Sequence, residues 1–197
     1  MARVVMVGGG VVGLCGALLL GKDGHEVVVL ERDGASPPDP EAAWGEWERR
    51  GVNQFRMLHL FAARFANLMK ENAPEVIDAL VAAGARCVNP LRDAPAEITG
   101  GFREADARFD AVTARRPVAE ATIAAIVAAN PNITIRRGEV AAGLLTGEPI
   151  TPGVPHVIGV RTEAGEDLLA DVVVDCGGRR SMLPSHLEAI GARAPIE

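Results

Sequence analysis

Residues 3–31 read RVVMVGGGVVGLCGALLLGKDGHEVVVLE. Arg3 to Val7 is a short β-branched run of the kind that forms a fully buried strand. Gly8-Gly9-Gly10 then turns the chain. Val11 to Lys22 is apolar on almost every face, which predicts a buried helix, with Gly24 as its stop. Glu26 to Glu31 is a second buried strand. Strand, helix and strand in about thirty residues make a βαβ unit with two parallel strands.

Gly8, Gly10 and Gly13 fall on the GxGxxG spacing. The first glycine permits a tight turn, the second lets a pyrophosphate approach the backbone, and the third lets the helix pack on the strand. The helix N-terminus offers free N–H groups and a positive dipole end to that anion. Glu31, about twenty residues on, ends the second strand where a ribose-binding carboxylate is expected. Such a carboxylate repels a 2′-phosphate, so FAD or NAD is favoured over NADP.

Outward from this unit, three prolines in Ala35–Glu41 exclude regular structure. Gln54 to Lys70 has a helical stripe of Leu58, Phe61, Phe65 and Leu68. Pro74 to Ala83 and Pro117 to Ala129 also read as helices, each with proline at its first turn. Residues 85–106 show no period, and Phe109 to Thr113 reads as a strand. The texture then changes: Ile133–Arg137, Glu139–Leu145, Val157–Thr162 and Leu168–Asp175 read as an antiparallel run that returns to a buried strand. Gly177-Gly178 follow, and Ser181 to Ile190 suits a short helix.

Composition excludes several classes. The 197 residues are 48% hydrophobic, enough for a real core, and carry a net charge of −6. That charge, with 4% aromatics and no tyrosine, disfavours nucleic acid as a partner. Cys15, Cys87 and Cys176 form no CxxC pair, which argues against disulfides and zinc and fits a reducing, cytoplasmic compartment. Cys15, in an apolar run, reads as buried filler. The uncharged stretch from Val4 to Gly21 is too short and too glycine-rich for a membrane span, and a strand, turn and helix explain it better. Ser181 and Ser185 lack GxSxG, the four histidines show no ligand spacing, and no P-loop occurs.

The chain resembles the FAD-binding half of flavoprotein monooxygenases of the para-hydroxybenzoate hydroxylase type. The matching pieces are VVMVGGGVVGLCGALLLGKDGHEVVVLERD, WERRGVNQFRMLH, TARRPVAEATIAAIVAA with ITIRRG, and LLADVVVDCGGRRSMLP, in the family's order. The resemblance implies a Rossmann-like α/β FAD-binding domain over residues 1–197, with a parallel sheet and an antiparallel β-meander, truncated where a substrate domain would start. It places Gly8, Gly10 and Gly13 on the pyrophosphate, Glu31 on the adenosine ribose and Arg32 beside the adenine. Arg116, with Arg115 as the alternative, would contact the FAD phosphates, and Gly178 belongs to a second fingerprint.

Gln54, Arg56 and His59 correspond to a segment near the flavin, although a solvated helix face explains them as well. Gly177 stands where the second fingerprint has aspartate, and the ribityl-binding Gly-Asp is absent. A completed enzyme of this type takes hydride from NAD(P)H and inserts one oxygen atom from O₂ into a small organic substrate; no side chain of the FAD half is expected to be a catalyst. The same residues leave other readings open. These are a non-catalytic flavin-binding remnant, a subunit completed by a second chain, and an NAD-dependent dehydrogenase. An apolar face open to self-association or to a partner chain is expected.

Overall fold

The computed structural model describes residues 1–49 and 51–193. In chain order the strands are β1 (Arg3–Val7), β2 (Glu26–Glu31), β3 (Leu58–Phe61), β4 (Arg86–Val88), β5 (Ala111–Arg115), β6 (Ile133–Arg137), β7 (Ala141–Gly147), β8 (His156–Thr162), β9 (Asp167–Leu169) and β10 (Val172–Asp175). The helices are α1 (Val11–Lys22), α2 (Pro40–Glu46), α3 (Ala63–Asn72), α4 (Pro74–Ala82), α5 (Ala96–Thr99), α6 (Arg116–Ala128) and α7 (Leu183–Ala189). The chain divides into two compact units, Met1–Ser36 with Val127–Glu197, and Pro37–Ile126.

The first unit is built on a parallel sheet in the order β10-β1-β2-β6. β1 lies inside this sheet and is covered on both faces, which is why its sequence is apolar at successive positions rather than alternating. Met6 reaches α1, where its Cε lies 3.0 Å from the place a Cβ on Gly16 would take. Val5, on the opposite face, joins Leu30, Ala141, Val160 and Ala170 in a core shared with the antiparallel meander β7-β8-β9. Fully burying each such aliphatic side chain contributes about 1.5–3 kcal/mol, so covering the second face is a large part of what holds the unit together.

Two strand expectations need correction. Ile133–Arg137 opens no antiparallel run: it pairs parallel to β2, with Ile133 opposite Val27. The reason is packing on α1, where Ile133 fills the space left by Gly21 and the Asn132 side-chain amide donates to the Gly21 carbonyl at 2.9 Å. Leu168–Asp175 is not one strand. At Ala170 and Asp171 the chain changes partner, because Ala170 N–H donates to Ile158 and Asp171 N–H to Arg3. β9 therefore stays in the meander while β10 enters the parallel sheet.

The second unit holds an antiparallel sheet, β3-β5-β4, with helices α2 to α5. Here the helix expected over Gln54–Lys70 fails in its first half. Gln54 has φ +57, which interrupts a right-handed helix, and Leu58–Phe61 pairs with β5 as a strand. The helical stripe is real only from Ala63 onward. Leu58 and Phe61 satisfy the helical spacing, but β pairing with Arg115 and Val112 overrides it. Phe61 still stacks on Phe65, with ring centroids 4.8 Å apart. Leu58 and Leu60, on the other face of β3, are 72% and 59% exposed. Among the described residues no helix is long and apolar enough to cross a membrane.

Candidate functional site

The glycine turn lies at the carboxyl end of β1, next to the chain reversal after β10. Since β1 leads through α1 to β2 on one side and has β10 on the other, this is the crevice position where open α/β sheets bind ligands. Gly8 has φ +113, and its N–H donates to the Leu30 carbonyl at 2.8 Å. A Cβ on Gly8 would lie 2.6 Å from the Cys176 carbonyl oxygen, and one on Gly13 would lie 2.0 Å from the Gly8 carbonyl oxygen. Both glycines are therefore demanded by the fold. Gly10 is different. It has ordinary extended backbone, φ −78 and ψ −179, and a Cβ there would meet nothing within 4 Å.

Gly10 also caps α1, and the first intrahelical hydrogen bond runs from Leu14 N–H to its carbonyl. The N–H groups of Val11, Val12 and Gly13 precede that ladder and carry the positive end of the helix dipole. Open space over Gly10 and donors just beyond it make a cradle that a phosphate would fit.

Glu31 is 4% exposed and turns back to this loop. One carboxylate oxygen accepts Gly9 N–H at 2.9 Å, and the other accepts Asp33 N–H at 2.9 Å. Glu31 thus braces the glycine turn, a role that sequence spacing does not reveal. Arg32, the next residue, is exposed.

The second glycine pair abuts the first. Cys176 N–H donates to Val7 at 2.7 Å, and a Cβ on Gly8 would come within 3.1 Å of Gly177 N. Asp175 organises the turn: its carboxylate accepts Gly177 N–H at 3.1 Å and the Ser181 hydroxyl at 2.5 Å, while Ser181 Oγ accepts Leu183 N–H at 2.9 Å. Gly178, with φ +64, starts a short 3₁₀ turn through Arg180. A strand-ending acid before a glycine pair was the sequence signal for this turn. Burial, aided by the Asp175 charge, raises the Cys176 thiol pKa. Burial alone pushes Cys15 up to about 12, as suits a packing residue.

Arg115, Arg116 and His59 belong to the second unit. Arg116 opens α6, where its Nε donates to Glu120 Oε1 at 2.7 Å and its Nη1 to the Asn53 carbonyl at 3.0 Å. Arg49 Nη1 reaches the other Glu120 oxygen at 2.7 Å. Arg115 instead lies over the Trp44 ring, 5.1 Å from its centroid. His59 has its pKa lowered by burial and then by the Arg116 charge, with Glu120 opposing. Arg56 donates to the carbonyls of Trp44, Gly45 and Trp47, which assigns it to closing the end of α2. Gln54 is exposed. Glu120 and Arg49 were not singled out by sequence; the spacing of Arg116 and Glu120 on one helix was the available signal. Among the described residues no group of acidic, histidine or cysteine side chains could hold a metal ion.

A parallel-sheet α/β unit with paired glycine turns at its carboxyl edge, accompanied by antiparallel sheets, is the fold of flavin-dependent monooxygenases over part of their length. PqsL of Pseudomonas aeruginosa, a probable FAD-dependent monooxygenase, matches with a TM-score of 0.67 at 17% identity, over 99% of this chain and 48% of its own. The p-nitrophenol 4-monooxygenase PnpA of Pseudomonas putida DLL-E4 matches with a TM-score of 0.63 at 21% identity, over 95% of this chain and 44% of its own. Protein Rv3254 of Mycobacterium tuberculosis is 30% identical over 99% of this chain and 42% of its own length. The chain spans less than half the length of each. No protein-family model matches it.

Proposed function

We propose that residues 1–197 are the FAD-binding half of an NAD(P)H-dependent flavoprotein monooxygenase of the para-hydroxybenzoate hydroxylase type, acting on a small organic substrate in the cytoplasm. The observation that carries this reading is the unobstructed space over Gly10, set between close-packed Gly8 and Gly13 and beside the carboxylate of Glu31. When bound, FAD supplies the redox chemistry, accepting hydride from the nicotinamide and activating dioxygen.

The chain's own residues bind and orient. Gly10 admits the pyrophosphate, and the N–H groups at the start of α1 neutralise it. Glu31 accepts ribose hydroxyls while holding Gly9 in place. Arg32 flanks the adenine. Gly178 and its neighbours, ordered by Asp175 and Ser181, form the second wall of the crevice. The exposed Leu58 and Leu60 of β3 support association with a further segment, a second copy or a partner chain.

Titration of the chain with FAD, NAD and NADP, followed by flavin fluorescence and calorimetry, tests the reading. FAD is expected to bind tightest and NADP weakest. Tightest binding of NAD would favour a dehydrogenase-type site, and absence of FAD binding would refute the proposal.

A further inference from the structure

Within the second unit, α2, α4 and α6 border a cavity of about 960 Å³. α4 lines it with Ala79, Ala82 and Ala83, and α6 with Ala119, Thr122 and Ile126, each set at the spacing of one helix face. The alanines create the space, since larger side chains at these positions would fill it to the density of an ordinary core. Thr122 is buried, and its hydroxyl donates to the Val118 carbonyl at 2.8 Å, so it keeps no hydrogen for the cavity. Small-molecule sites span about 300–1,000 Å³, and this cavity falls within that range. Water against such walls finds few hydrogen-bond partners, and an apolar body displaces it favourably.

Glu41 and Trp44 line the same cavity from α2, three residues apart and so on one helix face. The Arg115 guanidinium, also part of the lining, lies over the Trp44 ring. Stacking fixes its plane and leaves the N–H groups at its edge available to a carboxylate. Arg115 and Glu41 are both exposed, carry opposite charge and flank one ring, yet among the described residues neither is engaged in an ion pair or a side-chain hydrogen bond. Asp39, at the start of α2, adds a second carboxylate to the lining. We infer that this cavity binds a small molecule with a bulky apolar body and an α-amino-acid head, its carboxylate meeting Arg115 and its ammonium meeting Glu41. An acid alone would face two carboxylates, and an amine alone would face Arg115; a head that carries both charges is attracted by each. The inference stands on the second unit alone and is independent of the FAD reading.

Isothermal titration calorimetry of the full chain with L-tryptophan tests this, beside indolepropionate, which lacks the ammonium, and tryptamine, which lacks the carboxylate. Tryptophan is expected to bind, and each truncated probe to bind about tenfold more weakly, as loss of a charge-assisted hydrogen bond implies. Arg115→Met keeps an apolar stem beside Trp44 and should weaken tryptophan about tenfold without weakening tryptamine. Glu41→Gln should weaken tryptophan without weakening indolepropionate. Ala82→Phe fills the cavity from an exposed position and should abolish binding of each probe. All substituted positions are exposed, and thermal melting confirms folding of each variant.

Absence of tryptophan binding to the wild type would overturn the inference. Equal affinity for tryptophan and either truncated probe would do the same, as would tryptophan affinity unchanged in both Arg115→Met and Glu41→Gln. Retained binding in folded Ala82→Phe would put the ligand outside this cavity and overturn it as well. Failure of the wild type to bind FAD, read in a separate titration, would overturn the FAD reading and leave this inference standing.

Discussion

Gly10 and Gly13 lie three residues apart in one motif, but their substitutions should fail in opposite ways. Alanine at Gly13 places a Cβ 2.0 Å from the Gly8 carbonyl oxygen. Restoring ordinary contact near 3.4 Å requires α1 and the turn to separate by about 1.4 Å, in a region where Gly8 is itself held against Cys176. Overpacking of this kind costs about 1–3 kcal/mol. For a chain of this size each kcal/mol lowers the melting temperature by roughly 2–4 °C, so a fall of about 5 °C is expected for Gly13→Ala.

Valine at Gly10 meets no protein atom at its Cβ and adopts an allowed backbone, so its melting temperature should stay within roughly 2 °C of wild type. FAD binding should nevertheless disappear, because the side chain fills the pyrophosphate space. Differential scanning fluorimetry without ligand and FAD titration read the two effects separately. Early melting of Gly10→Val, or retained FAD affinity in it, would refute the assignment of that space to the cofactor.

Glu31→Gln should weaken FAD about tenfold and narrow the preference for FAD over NADP, measured by competitive titration, since the amide presents a donor where Gly9 N–H also donates. Asp175→Ala removes both the Gly177 and Ser181 contacts. Faster hydrogen exchange at Gly177 and Leu183 is expected, with a loss of about 1–3 kcal/mol in denaturant unfolding. His59 has a lowered pKa in the folded chain, so its contribution to stability is complete above the ordinary value of 6.5 and declines as pH falls toward the folded value. Melting curves at pH 7 and at pH 5 should show a smaller acid loss in His59→Gln than in wild type, and an equal loss would remove His59 from the buried side of the sheet.

Local chemistry by itself makes much of the first unit legible. Arg3–Val7, Val11–Lys22 and Glu26–Glu31 have in the fold the bounds that their residue pattern predicts. A strand buried on both faces must be continuously apolar, and a turn that needs φ +113 must carry glycine. The GxGxxG spacing also separates the three glycine roles, and the contacts at Gly8, Gly10 and Gly13 follow that separation.

Other features depend on partners far along the chain. Leu58–Phe61 satisfies helical and strand periods alike, and only pairing with β5 decides between them. Leu168–Asp175 carries one internal charge, Asp171, which alone does not end a strand, and its division into two strands follows from hydrogen bonds to Ile158 and Arg3. The site shows the same division. Sequence alone nominated the residues proposed for a dinucleotide, because backbone permissiveness, charge and spacing are local properties. Tertiary structure alone decided that Glu31 braces Gly9, that Asp175 orders the second glycine turn and that Glu120 joins Arg49 to Arg116. Those contacts link atoms brought together by packing, over sequence separations that no local period encodes.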